Sequence, residues 1–399
     1  MDTTLIVGII LLGALVGGET ARVFNLPKIT GYILAGIALN PRLVPIIPRD
    51  FTGHTEFITN LALAFITFSV GGSLLFSHIK RLGRSILWIA IGEAQTAMLA
   101  VGTGMFVVGW LLGWPVPPLL ALLLAPLATP TDPSATLAVA HEYRARGDVT
   151  TTIMGVAALD DVLAILNFSL ATSLASLLAA APGTKLGMLL WYPTSMILIG
   201  LGIGVTGGLA FNILTELFRR ETEGALIVLI FAALTLVFGT VHLFGGDELL
   251  GTLSMGTVVA NFNPRRQMIF KMLERYTEEL IFALFFTLSG MLLDFKMLGT
   301  SVALIVGFVV LRSLGKWLGS RTGAALSHAS IQVKRHLFWG LLPQGGIVIG
   351  LALLLKSNPD FVEVADTVMS VILGATVIHE LIGPLLARRA LQKAGEIAA

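Results

Sequence analysis

The feature that most constrains this chain is its succession of apolar runs about 20 residues long, the length a helix needs to cross roughly 30 Å of hydrocarbon. About thirteen such windows divide the 399 residues, near 4–22, 28–42, 56–76, 85–112, 117–142, 149–178, 185–217, 222–244, 247–262, 267–293, 297–326, 334–356 and 366–388. Backbone in lipid must satisfy its own hydrogen bonds, so runs of this length are predicted to be membrane-spanning helices. The expected fold class is an all-α polytopic membrane protein. Composition agrees, with 13% charged residues against roughly 25% in a soluble domain.

Cysteine is absent, which excludes disulfides, thiolate metal sites and thiol catalysis. A net charge of +2 offers no basic surface for nucleic acid. The first run, from Leu5, lacks the basic start and small-residue cleavage site of a secretory signal and is expected to remain as a span. Loop charges orient the rest. With the N-terminus outside, the cytoplasmic connections hold Arg22, Lys28, Lys80, Arg81, Arg84, Arg144, Arg146, Arg219, Arg220, Arg265, Arg266, Arg321, Lys334, Arg335, Arg388, Arg389 and Lys393. The outer loops hold only Arg42, Arg49, Lys185, Lys296 and Lys356. The positive-inside rule therefore predicts N-out, C-in and an odd number of spans in a plasma or inner membrane.

Three carboxylates lie inside apolar runs: Asp132 in Thr131-Asp132-Pro133, and the adjacent Asp160 and Asp161. An ionised side chain at the bilayer centre costs about 2.5–3.5 kcal/mol even on lenient insertion scales, so such groups point to a path for ions or protons. The span around Asp132 is predicted to be broken, because Pro126, Pro130 and Pro133 lack an amide hydrogen and each frees a carbonyl one turn back. The twelfth window has a comparable interruption, Pro343-Gln344-Gly345-Gly346. Interrupted spans at corresponding places in two halves indicate a transport site at the interface of inverted repeats. The order of elements fits this: each broken span is followed by one bearing acid, Asp160-Asp161 in the first half and His379-Glu380 in the second.

Consecutive residues on a helix point about 100° apart, so the two aspartates are expected to serve different partners. Arg312 and Lys316 share one face of the eleventh span. A buried lysine releases its proton far more readily than an arginine, so Asp160 and Lys316 are predicted to form a proton-coupled pair. Asp161, with Asp132, Thr131 and carbonyls freed by the break, would offer oxygen ligands to a monovalent cation, Na⁺ or K⁺. Glu93, mid-span in the fourth window, is expected to pair with Gln95 or a buried arginine, and Glu380 with a backbone nitrogen or Arg312. No cofactor is implied.

Ala128-Thr129-Pro130-Thr131-Asp132-Pro133, Ala158-Leu159-Asp160-Asp161-Val162 and Arg312-Ser313-Leu314-Gly315-Lys316 resemble the monovalent cation/proton antiporters, close to the NapA-like and NhaA-like sodium/proton exchangers. Gly31-Tyr32-Ile33-Leu34-Ala35-Gly36 and the stretch from Phe68 to Gly72 also fit. The resemblance implies a homodimer of thirteen-helix protomers with two crossed broken helices, working by an elevator-like displacement of a core domain. By position it assigns the cation to Asp161 and proton coupling to Asp160 and Lys316. The expected single transport domain of 1–399 then divides into scaffold helices near 1–55 and 185–293 and core helices near 56–180 and 297–390.

Some residues depart from that pattern. The Thr-Asp-Pro of the break is NhaP-like, yet those electroneutral relatives have Asn where Asp160 stands, and a Glu where this chain has Val156. Ala157 replaces a small polar residue. Two aspartates and a lysine favour electrogenic exchange. K⁺/H⁺ exchange, a cation channel and a sodium-coupled organic anion symporter are the alternatives. The channel has no need of Lys316. An intramembrane aspartyl protease is excluded by the absence of its Gly-x-Gly-Asp motif.

Overall fold

A computed structural model describes the chain except residues 1–2, 25–27, 44–46, 49–50, 52–54, 112–117, 133–135, 137–139, 141–144, 180–185, 219–221, 294–298, 300 and 398–399. Pro133 and the loop residues Arg49, Arg144, Lys185, Arg219, Arg220 and Lys296 thus lie outside the described residues. All of the apolar windows carry helix, and no strand occurs among the described residues.

The helices are α1 (Thr3–Val23), α2 (Lys28–Ala38), α3 (Glu56–Ser73), α4 (Phe76–Leu111), α5 (Pro118–Leu124), α6 (Asp148–Ala179), α7 (Leu186–Leu217) and α8 (Glu223–Leu243). They continue as α9 (Glu248–Phe262), α10 (Arg266–Tyr276), α11 (Glu278–Met291), α12 (Val302–Leu326), α13 (Ile331–Gly340), α14 (Gly346–Ser357) and α15 (Val362–Ala394). Among the described residues, seven segments are long and apolar enough to span a membrane: α1, α4 from Gly83, α6, α7, α8, α12 and α15. Shorter apolar helices are α2, α3, α14 and α5 with the 3₁₀ turn Pro126–Ala128 that extends it. The chain is therefore a multi-pass membrane protein.

Local chemistry explains several boundaries. Gly83 interrupts α4 with φ +76°, a left-handed conformation open to glycine, and the spanning part begins there. The charged window from Arg266 splits at Thr277 into polar α10 and apolar α11, because Arg266, Lys271, Glu274 and Arg275 cannot enter hydrocarbon with the apolar part. Helix α15 ends at Gly395, whose φ of +75° lets its N–H close back on Gln392.

Two compact units are present. One comprises Met1–Gly53, Leu82–Ala171 and Phe286–Ala399, the other His54–Arg81 and Thr172–Phe285. This partition groups 1–53 and 54–81 differently from the expected scaffold and core. Within the smaller unit, α9 is buried almost all round, between α3, α7 and α8. Lipid is as apolar as leucine, so close packing and interhelical hydrogen bonds hold such a helix in place. Thr252 bonds Thr67 at 2.5 Å, and Asn261 accepts from the N–H of Phe76 at 2.8 Å while donating to the carbonyl of Leu74 at 2.7 Å. The larger unit packs Ile89, Ile153, Val156, Leu337, Leu341 and Leu391 into a core beneath its breaks.

Candidate functional site

The candidate site lies within the larger unit, where two interrupted segments cross. After the 3₁₀ turn Pro126–Ala128, Thr129 to Asp132 is non-helical; Leu341 to Gly345 is the gap between α13 and α14. The Asp132 N–H donates to the Pro343 carbonyl at 3.0 Å, tying one break to the other. Gln344 Nε2 donates to Leu127 O at 2.7 Å, and Thr136 Oγ1 to Gly340 O at 2.9 Å. Gly345 is required by contact, since a Cβ there would collide with the Asp132 carboxylate. Gly346, the first residue of α14, packs against the Phe286 ring.

Arg312 is fully buried and joins the two breaks. Its Nε donates to Ala128 O at 3.1 Å, Nη2 to Pro130 O at 2.7 Å and Nη1 to Leu342 O at 2.8 Å. The sequence left the partner of Arg312 open, and the structure gives it backbone carbonyls. A planar five-donor fork matches carbonyls arriving from two directions in a way an ammonium does not. Glu380 is 1% exposed on α15, and neither of its carboxylate oxygens has a hydrogen-bond partner among the described residues. The expected bond from Glu380 to Arg312 or to a backbone nitrogen is therefore not formed.

One turn along α12, Lys316 is equally buried. Its Nζ donates to the Glu93 carboxylate, to Thr129 O at 2.8 Å and to Thr131 Oγ1 at 2.8 Å, while Asp160 Oδ2 lies at 3.5 Å. The Thr131 hydroxyl donates in turn to Asp160 Oδ2 at 2.7 Å. Asp160 and Lys316 thus meet as expected; Thr131, expected beside Asp161, bonds Asp160 and Lys316, and Glu93 is an addition whose partner is Lys316, while Gln95 bonds Asn167 at 3.1 Å. The carbonyl that Pro133 denies a helical partner, that of Thr129, is taken by Lys316. With those of Ala128 and Pro130 on Arg312 and that of Leu127 on Gln344, four carbonyls of this break are engaged by side chains.

Asp161 points elsewhere, as the helical angle requires. Its carboxylate is half-buried and carries no ion pair or hydrogen bond among the described residues, within the fields of Asp160, Asp132 and Lys316. Asp132 is half-buried beside the N-terminus of α14, where the helix dipole favours an anion.

Asn167 escaped the sequence reading, and Glu93 was given other partners there. Asn167 lies seven residues after Asp160, two turns along the same face, and donates to Thr129 Oγ1 at 3.4 Å. Glu93 reaches Lys316 because α4 lies flush on α12. A Cβ added at Gly315, Gly319 or Gly323 would stand 2.6, 2.6 or 2.7 Å from the Cα of Ala97, Glu93 or Ile89. That four-residue glycine spacing, a known device for close helix approach, was the available signal.

Comparison with known proteins gives the architecture a family. Residues 7–392 match the sodium/hydrogen exchanger transmembrane family. The chain is 23% identical to the Na(+)/H(+) antiporter ApNhaP of Aphanothece halophytica, over all of this chain and 75% of that protein. It is 27% identical to the Na(+)/H(+) antiporter NhaP of Pseudomonas aeruginosa, over 76% of this chain and 75% of that protein. The solved sodium proton antiporter MjNhaP1 of Methanocaldococcus jannaschii shares the fold, with a TM-score of 0.76 and 19% identity over 97% of each chain. A chain matched over nearly its whole length, with two crossed breaks around buried charge, belongs to the sodium/hydrogen exchanger family.

Proposed function

We propose that this protein exchanges a monovalent cation for protons across a plasma or inner membrane, with Na⁺ as the first candidate and K⁺ and Li⁺ as alternatives. Cation/proton exchange follows from the family and from relatives that are themselves sodium/proton antiporters. The observation that carries the site assignment is the contrast between the two adjacent aspartates. Asp160 is buried against Thr131 and Lys316, whereas Asp161 is partly accessible and unpaired among the described residues. In this reading Asp161 holds the cation, Asp132 and Thr131 complete its oxygen shell, and Asp160 beside Lys316 couples the protons.

Two aspartates discharging protons against one cation make the exchange electrogenic. Alternating access is an elevator-type movement of a core around the crossed breaks, in a homodimer with N-terminus outside and C-terminus inside. The distribution of basic loop residues supports that orientation.

Purified protein in proteoliposomes loaded with a pH dye and challenged with Na⁺, K⁺ or Li⁺, with and without a clamped voltage, tests the whole reading. Protons and cation compete for the same carboxylates, so the apparent KM for the cation rises as pH falls. A cation current that needs no counterflow of protons would establish a channel instead.

A further inference from the structure

The Lys316 ammonium has three N–H donors, and three acceptors are close: the Glu93 carboxylate, Thr129 O at 2.8 Å and Thr131 Oγ1 at 2.8 Å. Asp160 Oδ2, at 3.5 Å, is the fourth and most distant. Asp160 instead receives the Thr131 hydroxyl, at 2.7 Å, and its other oxygen, Oδ1, is buried with no hydrogen-bond partner among the described residues. The lysine therefore bonds Glu93 closely, while Asp160 is held in a longer ion pair of 3.5 Å and through the Thr131 hydroxyl. Both Glu93 and Lys316 are 0% exposed, so neither charge has water to turn to. The close α4–α12 contact through Gly319 fixes the two backbones opposite one another.

We propose that Glu93 is a positioning residue for the exchange: it anchors the Lys316 ammonium and so keeps the ion pair of that lysine with Asp160 long, leaving Asp160 open to protons. This rests on the exchange reading given above and deepens it. With Glu93 neutralised, the ammonium closes the gap to Asp160 and competes with incoming protons and cation. With Lys316 neutralised, Glu93 becomes a bare buried charge beside Asp160. Either single change is damaging, and the two together remove the pair as a unit, which leaves no orphaned charge. The other charged groups around this cluster are Asp161 on the Asp160 helix, Arg312 on the lysine's own helix, and Asp132 and Glu380. All four are unchanged by these substitutions.

The test is a double-mutant cycle of Glu93→Gln and Lys316→Gln, read as Na⁺-driven proton flux in proteoliposomes. Each single variant is expected to lose flux, and the double variant to exchange faster than either single, with a coupling of about tenfold or more. A general structural role for Glu93 gives no such rescue, because the second substitution only removes another buried group. A double variant no faster than either single overturns the proposal. Folding of the double where a single fails to fold counts for it. If the native protein shows no cation-driven proton flux, the exchange reading fails, and the anchoring is then read from unfolding midpoints in detergent. There the double variant must be more stable than either single, and a double variant that is not more stable overturns the anchoring by itself.

Discussion

Replacing Arg312 by alanine is the sharpest test of how the two breaks are held. The substitution removes three hydrogen bonds, of 3.1, 2.7 and 2.8 Å, and strands the carbonyls of Ala128, Pro130 and Leu342. Neutral interhelical bonds in membranes average about 0.6 kcal/mol each, which sets a floor near 2 kcal/mol for three. Bonds from an ionised donor are worth about 1.5–3 kcal/mol each, which sets a ceiling of about 4.5–9 kcal/mol. Water entering the vacated space repays part of that ceiling, and breaking a buried charged network by removing one member typically costs about 3–5 kcal/mol, so that is the expected loss. Arg312→Lys keeps the charge without the fork and is expected to recover less than half of it. Tryptophan-monitored unfolding in mixed micelles measures both variants against Leu314→Ala, a change at a half-exposed position two residues along α12. If Arg312→Ala falls within about 1 kcal/mol of that control, below the floor for even neutral bonds, the clamp is not what joins the breaks. Full recovery by lysine would show that charge alone suffices.

Other outcomes follow from the same geometry. Asp161→Asn is expected to bring cation-driven proton flux to the background of empty vesicles while the protein still elutes as a folded species; sustained flux would remove the cation from that residue. Gly319→Ala sets a methyl group against the Glu93 backbone, costs about 1–3 kcal/mol by overpacking and slows exchange by pushing Glu93 away from Lys316, which unfolding and flux measure separately. Glu396, just past the C-terminus of α15, accepts from the N–H groups of Val149 at 2.7 Å and Thr150 at 2.8 Å and so caps α6. Glu396→Ala is expected to cost about 1–2 kcal/mol and to speed amide exchange in the first turn of α6; unaltered exchange there would show the cap to be dispensable.

What could be read from the sequence was what stands out against apolar surroundings. Asp160, Asp161, Thr131 and Lys316 were recognisable because each charge in lipid needs a reason, and the breaks because Pro130 and Pro343 cannot continue a helix. The partners of Arg312 were not legible, since they are backbone carbonyls and every residue carries one. Glu93 was assigned to Gln95 or a buried arginine because nothing in the letters says which helix it faces; its partner, Lys316, is 223 residues away. The window from Arg266 was seen as one span with a charged start, and the structure resolves it into two helices at Thr277. Where pairing depends on which helix faces which, a single chain's letters give the candidates and packing makes the choice.

The buried charges also explain why such a site would exchange one kind of cation for another. Among the described residues, Arg312 and Lys316 are two fully buried cations, and Glu93, Asp160 and Glu380 are three carboxylates no more than 1% exposed. His379, at 3% exposed, adds a positive charge only when protonated. With all three carboxylates ionised the cluster carries one uncompensated negative charge, and low dielectric makes that expensive. A proton on one carboxylate removes the excess, and in the proposed function a small cation at the accessible Asp161 offsets it from outside. The fixed pair of Glu93 and Lys316 cancels internally and Arg312 is committed to carbonyls, so the excess falls on Asp160 and its neighbours. Competition between protons and cation is then a consequence of one excess negative charge, and a substitution that removes it permanently, such as Asp160→Asn, should take the net charge movement out of the exchange while making the protein more stable to unfolding.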